Sequence, residues 1–226
     1  VKHQGFFFHN DIVDALAVGD TARFWRDSYR RLLQMYGDVV EQIKDENGVD
    51  PFEECLGNFK KEKGAKTDLD LTADDLAELI KRYKAIYVKY GHEFPQDPKK
   101  QVMASAEAVF RSWNNERAIF TRKLEGIPDS LGTAVNIQEM VFGNRTPRSA
   151  TGVYFTRDKV TGIKHDILDG TVLFQAQGDD VVAGIRTPQQ ITIKGSRKWA
   201  EAQGVSEEDR KNNYPSLEEA MPECFK

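Results

Sequence analysis

Residues Gln175 to Gln189 read QAQGDDVVAGIRTPQ and place a turn glycine, two adjacent carboxylates, a short apolar run, a second glycine and an arginine in fifteen positions. Such a set could serve a phosphorylated ligand and its cation. Magnesium prefers oxygen ligands and commonly takes only one or two protein carboxylates. Asp179 and Asp180, held at a tight turn by Gly178, could place an acidic group near such a cation. The plainer reading is a polar turn feeding the buried run Val181-Val182-Ala183. Arg186 could reach a phosphate or pair with Asp179 or Asp180. Arg30 and Arg31 are adjacent on a predicted helix, so one must point away from its apolar stripe; Arg31 is then a phosphate or partner-domain contact, or part of a solvated face. Lys63, just before Gly64 in a charge run, stands the same way.

Other chemistries find no support. There is no GxxxxGK[ST] phosphate loop, and neither a Ser/His/Asp nor a Cys/His arrangement can be assembled. His3, His9, His92 and His165 lack ligand spacing, and Cys55 and Cys224 are far apart with no CxxC partner. The cysteines are expected to be reduced thiols in an intracellular, reducing compartment, cytoplasmic or organellar. The chain of 226 residues is 39% hydrophobic and 30% charged, with a formal net charge of −4 and both signs intermixed. No basic stripe interleaved with aromatics argues for nucleic acid. No apolar run approaches the roughly 20 residues that span a bilayer. Gly5-Phe6-Phe7-Phe8 is too short for a signal-peptide core, and Val1 is not expected to be a native translation start.

The elements that must position these residues change character along the chain. Tyr29, Leu32, Leu33, Tyr36, Val39 and Val40 recur at helical spacing and predict a helix over about 10–45, ended by Gly48 and Pro51. A short helix over about 51–66 should cap at Gly64. Thr72 should open a third, with Asp74 and Asp75 in its first turn and Leu76, Leu79, Ile80, Tyr83, Ile86, Tyr87 and Tyr90 on its apolar face. A fourth, from about Pro98 to Trp113, carries Val102, Ala106, Val109, Phe110 and Trp113 as its expected core face. After Pro128, alternation at Val135, Ile137, Glu139 and Val141 and β-rich runs at 153–156, 171–174 and 190–193 predict strands. The polar stretch 194–214 reads as an exposed loop or insertion with one helical turn or more. The expected fold class is α+β: a mainly helical part over 1–128, then a β-rich part over 129–226.

Ordered blocks along most of the chain carry a resemblance. RFWRDSYRRLLQMYGDVV (23–40), DLTADDLAELIKRYK (70–84), FPQDPKKQV (94–102), AVFRSWNNERA (108–118), GTAVNIQEMVFGN (132–144), SATGVYFTRDKVTG (149–162) and the run at 175–189 resemble pyruvate phosphate dikinase, in its ATP-grasp nucleotide-binding domain. The resemblance implies an ATP-grasp-like fragment of an enzyme that converts ATP, phosphate and pyruvate to AMP, pyrophosphate and phosphoenolpyruvate. It implies ATP and Mg²⁺ as cofactors, and as partners the phosphohistidine and phosphoenolpyruvate/pyruvate domains of the same chain. Arg31, Lys63, Gln138, Met140, Asp179, Asp180 and Arg186 would be nucleotide or interdomain contacts, with Asp179 and Asp180 nearest the metal.

Several positions depart from the family pattern. Thr171 stands where a carboxylate is expected, with Asp169 nearby to compensate. Asp179 replaces a glutamate, and Arg145-Thr146-Pro147-Arg148 replaces a flexible glycine loop. By the same resemblance, the phosphate loop would precede Val1, the final acidic strand would follow Lys226, and no GGMTSHAA segment is present. The segment alone is therefore expected not to catalyse. The alternatives are a diverged, non-catalytic scaffold subunit of a larger assembly and a nucleotide-sensing regulatory module.

Overall fold

The computed structural model describes residues 10–158, 160–164, 169–182 and 187–225. It divides into two compact units, Val1–Met140 and Val141–Lys226.

In the first unit, α1 (Asn10–Leu16) and α2 (Ala22–Met35) are separate helices. The single helix expected over 10–45 is broken because Gly19 takes a left-handed φ of 54° and the Thr21 hydroxyl donates to the carbonyls of Leu16 and Val18. A π-helical turn, Tyr36–Val40, extends α2, and the chain leaves helix near Gln42, whose φ is 55°. α3 (Pro51–Lys63) has start and stop signals its sequence advertises. The Asp50 carboxylate accepts the Phe52 N–H at 2.8 Å, Pro51 fills the first turn, and Gly64 closes the helix at φ 68°. α4 (Ala73–Lys89) opens on a Thr72/Asp75 capping box.

These helices bury Tyr29, Leu32, Leu33, Tyr36, Phe52, Phe59, Leu76, Leu79, Tyr83 and Tyr87 in one aromatic-rich core. Phe52 lies edge-on to Tyr83 at 5.1 Å, Phe94 edge-on to Tyr36 at 5.1 Å, and the Tyr87 hydroxyl donates to the Leu33 carbonyl at 2.6 Å. Edge-to-face pairs of this kind add to the burial of each ring. Gly37 leaves room for that core, since a Cβ there would meet the Phe52 ring at 2.5 Å and the Tyr87 hydroxyl at 3.0 Å. Gly37→Ala gains about 1 kcal/mol of helix propensity but forces overpacking that typically costs about 1–3 kcal/mol. Phe52 is fully buried and has no free direction to retreat. We expect a net loss of stability, measured as a lower denaturant midpoint.

α5 (Pro98–Ser112) inverts the expected face. Gln101, Ser105 and Ala108 are the buried positions, whereas Val102, Ala106 and Val109 are half-buried and Phe110 is 52% exposed. Trp113 is half-buried, not core: the Arg122 guanidinium stacks 4.0 Å from its ring and its indole N–H donates to the Asp129 carbonyl. α6 (Glu116–Glu125) comes next, with Phe120 and Leu124 exposed. The strand expected at 135–141 does not form; that segment has no regular secondary structure and pairs with no strand among the described residues.

In the second unit β1 (Ala150–Phe155), β2 (Asp169–Phe174) and β3 (Gln189–Gln190) make an antiparallel sheet in the order β1-β2-β3 among the described residues. Ala150 pairs with Phe174 and Val172 with Gln189. Gly170 is required where β1 and β2 cross, because a Cβ there would lie 2.4 Å from the Val153 carbonyl oxygen. β3 ends earlier than the run 190–193 suggested, and Ile193 already starts a helix. α7 (Gly178–Val182) interrupts the strands.

The polar stretch at 194–214 is not an exposed loop. It folds as α8 (Ile193–Gln203) and α9 (Glu207–Asn213), followed by α10 (Leu217–Ala220), so among the described residues this unit holds more helix than strand and is not β-rich. Most of the stretch's charged side chains are exposed, and Arg210 is the one that folds inward. Its guanidinium is fully buried, donates to both Glu219 oxygens at 2.7 Å, and reaches Glu207 at 2.7 Å and the Ser196 hydroxyl at 2.9 Å. Hydrogen bonds from Arg210 hold the Glu207 and Glu219 carboxyls down to about 2. A depressed carboxyl stabilises the fold above its unfolded pKa of about 4.3 and loses that contribution as pH falls through the folded value. Protection factors of the α8–α10 amides, taken against the intrinsic exchange rate at each pH, should therefore fall between about pH 4.3 and pH 2, and constant protection across that window would show the cluster to be inert.

Candidate functional site

The acidic run sits where three pieces of the second unit's backbone converge. β2 ends at Phe174, and Gln175 takes a φ of 50°, a left-handed conformation that a side chain rarely adopts and that recurs at functional turns. Gln175 N–H donates to the Ser149 carbonyl at 2.8 Å, and Ala176 N–H to the Gly143 carbonyl at 3.1 Å. The Thr151 hydroxyl closes the junction by donating to the Ala176 carbonyl at 2.6 Å. Gly143 is the residue this approach requires. A Cβ there would lie 1.9 Å from the Thr151 hydroxyl oxygen and 2.3 Å from the Ala176 carbonyl oxygen.

Gln177 and Gly178 then turn the chain into α7. The Asp180 carboxylate accepts the Gln177 N–H at 2.9 Å, while Asp180 N–H donates to the Gln177 carbonyl at 3.2 Å. Asp180 thus fixes the mouth of this turn and is half-buried. Around the junction, three side-chain atoms are buried without a hydrogen-bond partner: Asn144 Oδ1, Gln177 Nε2 and Gln189 Oε1. Buried amides are nearly always satisfied in folded proteins. Two acceptors and one donor left open beside a preformed turn can take a small ligand that offers both kinds of group, or ordered water.

The residues singled out from the sequence fall in both compact units. Asp179 lies in the α7 backbone, and its side chain, like the whole of Arg186, lies outside the described residues. Arg31 and Lys63 belong to the first unit and engage different carboxylates. Arg31 Nε is 3.2 Å from Asp27 Oδ2, and Lys63 Nζ is 3.0 Å from both Asp75 and Glu78. Hydrogen bonds to Glu78 and then Asp75 raise the Lys63 pKa. Gln138 is exposed and Met140 half-buried on the segment without regular structure. Among the described residues, no group of three His, Cys, Asp or Glu side chains gathers as a metal site, and no helix is long and apolar enough to cross a membrane.

Sequence reasoning passed over Asn144, Thr151, Gln177 and Gln189. A signal was present in Gln177, an amide between a small residue and a glycine inside the acidic run. Asn144 and Gln189 gave none, because Asn144 is placed by the Ala176–Gly143 backbone contact and Gln189 by its pairing with Val172, both between segments far apart in sequence.

Comparison with known proteins places this arrangement in context. A sequence model of the family described as "Pyruvate phosphate dikinase, AMP/ATP-binding domain" matches residues 63–224. The pyruvate, phosphate dikinase of Clostridium symbiosum is 47% identical over 206 residues, which are 90% of this chain and 20% of that protein. That of Rhizobium meliloti is 50% identical over 209 residues, 92% of this chain and 21% of that protein. The chloroplastic pyruvate, phosphate dikinase 1 of Arabidopsis thaliana is 50% identical over 184 residues, 81% of this chain and 18% of that protein. The chain spans about a fifth of the length of these relatives.

Proposed function

The chain belongs to the pyruvate phosphate dikinase AMP/ATP-binding domain family, and on that premise we propose that it forms part of an ATP-grasp nucleotide site, within a longer polypeptide that converts ATP, phosphate and pyruvate to AMP, pyrophosphate and phosphoenolpyruvate. The family match carries this reading, since it includes the whole of the acidic run and the segments that converge on it. The segment alone does not catalyse; its partners are the phosphohistidine and phosphoenolpyruvate/pyruvate domains of that polypeptide.

The junction of Gly143, Thr151 and Ala176 supplies a rigid floor, held by backbone hydrogen bonds that need no rearrangement on binding. The open amide atoms of Asn144, Gln177 and Gln189 suit a nucleobase or ribose edge, which offers both donors and acceptors. The donor set also fits a magnesium ion shared with nucleotide phosphates, because such an ion needs only one or two protein carboxylates. Asp180 would hold it, joined by Asp179. When bound, the ion neutralises charge that develops on the transferred phosphoryl group. Arg186, Arg31 and Lys63 are proposed as phosphate or interdomain contacts, and Gln138 and Met140 as contacts of the segment without regular structure.

Calorimetric titration with Mg·ATP tests the site. Asp180→Asn keeps an oxygen to accept the Gln177 N–H but removes the charge. In the full-length polypeptide it should weaken binding by roughly tenfold or more, which is about 1.4 kcal/mol. Unchanged affinity removes Asp180 from the site. No binding to the full-length protein at millimolar nucleotide overturns the nucleotide reading altogether.

A further inference from the structure

Asn47 and Gly48 form the chain's single Asn-Gly pair, in the turn that joins the π-helical end of α2 to α3. Both residues are exposed. Gly48 has a φ of 78°, which glycine adopts without steric cost. One carboxylate organises the turn. Asp45 Oδ1 accepts the backbone N–H of Asn47 at 2.8 Å and of Val49 at 2.7 Å, and the Asn47 side chain also hydrogen-bonds Asp45. The Gly48 N–H donates to the Asp45 carbonyl at 3.0 Å, and Asp45 N–H donates to the Val49 carbonyl at 3.0 Å.

We infer that Asn47 is a site of spontaneous covalent modification, at which its side-chain amide is lost by cyclisation onto the Gly48 nitrogen, with Asp45 setting the rate. The Gly48 nitrogen gives up its proton and attacks Asn47 Cγ. The new N–Cγ bond closes a five-membered succinimide. The Cγ–Nδ2 bond breaks and its nitrogen leaves as ammonia, carrying the proton. Water then adds to either ring carbonyl and cleaves one C–N bond, which leaves aspartate or isoaspartate at position 47. No electron is gained or lost.

Glycine favours this because no Cβ shields its nitrogen and no side chain restricts its torsions. Every other asparagine in the chain precedes a larger residue, at Asn10, Asn58, Asn114, Asn115, Asn136, Asn144, Asn212 and Asn213. The hydrogen bond from Gly48 N–H to the Asp45 carbonyl must open before the nitrogen can attack, so the turn acts as a brake, and the Asp45 carboxylate grips it through the Asn47 and Val49 N–H groups. The product bears on the start of α3. A further negative charge joins Asp45, Glu46 and Asp50, and isoaspartate adds a methylene to the backbone just before the Asp50 cap that seats the fully buried Phe52.

The chain is aged at mildly alkaline pH, digested after Lys44 and Lys60, and the fragment between them analysed by mass and by isoaspartate-specific methylation. Conversion at Asn47 is expected ahead of every other asparagine and should be absent in Asn47→Gln. Asp45→Ala, checked for folding by circular dichroism, should speed it by roughly threefold to tenfold, the opening expected when a turn loses its charged acceptor. Asp45→Asn serves if the alanine variant does not fold. Conversion in urea but not in the folded chain overturns the site. An unchanged rate in the folded Asp45 variant overturns the role of Asp45.

Discussion

Arg210→Ala should cost the second unit about 3–5 kcal/mol, the usual penalty for removing one partner of a buried ion pair. The loss does not come from the arginine's own attraction. Two charges brought out of water roughly repay their desolvation, but a carboxylate left behind without its cation is not repaid. Glu219 is 22% exposed and would keep only its contacts to Ser216, while the Ser196 hydroxyl would lose the Arg210 donor. The unit has few apolar residues with which to absorb the damage: Val172, Leu173, Ala176, Ile191, Ala200 and Met221 are its buried hydrophobics among the described residues. Trp199, 5.1 Å from the Tyr214 ring, reports on the same helices. Denaturation followed by Trp199 fluorescence in a background without Trp25 and Trp113 gives the number. A loss under about 1 kcal/mol would place Arg210 with ordinary surface pairs.

The second large effect lies in α2. Asp27→Ala should destabilise the first unit by about 3 kcal/mol, at the lower end of the same range. Asp27 and Arg30 are 3% and 2% exposed and 2.8 Å apart. Burial alone would raise the Asp27 pKa, but the charges of Arg30 and Arg31 outweigh it and hold the carboxyl below its ordinary value. Arg30 keeps a fallback in Asp68 at 3.6 Å and in Gln34, which is why the lower end is expected. The contact matters beyond the pair because α2 ties down the approach to α4. Arg23 donates to the Leu71 and Asp68 carbonyls and Arg26 to that of Ala73. Asp27→Asn separates charge from shape: it should recover part of the loss, and a variant as stable as the parent would show that the charge contributes nothing.

The helices that the sequence announced are those whose instructions are local. Asp50-Pro51 and Gly64 bound α3, and Thr72 with Asp75 begins α4, within a few residues of where they act. The α4 stripe read correctly because it meets a core on that same side. α5 read wrongly, since periodicity shows that a helix has two faces but not which one meets a neighbour. There Gln101 and Ser105 go inward while hydrogen-bonding the backbone, Gln101 Nε2 donating to the Pro95 carbonyl and Ser105 to that of Gln101. The stretch 194–214 read correctly as mostly exposed with some helix, but not as two packed helices. Charge density suggests water, yet Arg210 finds its counter-charges at the exposed Glu207 and the half-buried Glu219 and is itself buried.

The candidate site was legible in residue type and not in arrangement. Asp180 lies at the expected turn, whereas the Gly143 approach and the open amides of Asn144 and Gln189 arise from pairings between distant segments. Alternation at 135–141 marks a strand only where another strand offers its edge, and none pairs there among the described residues.

The exposed apolar side chains of α5 and α6 carry an evolutionary consequence. Phe110, Phe120 and Leu124 are 52%, 69% and 73% exposed, so this chain's own folding places almost no demand on them. Any selective pressure that keeps these positions apolar must arise from something other than the stability of the segment that bears them. Variation tolerated at Phe110 but not at Phe52 would mark a free surface, and equal intolerance at both would mark a surface whose sequence is dictated from outside.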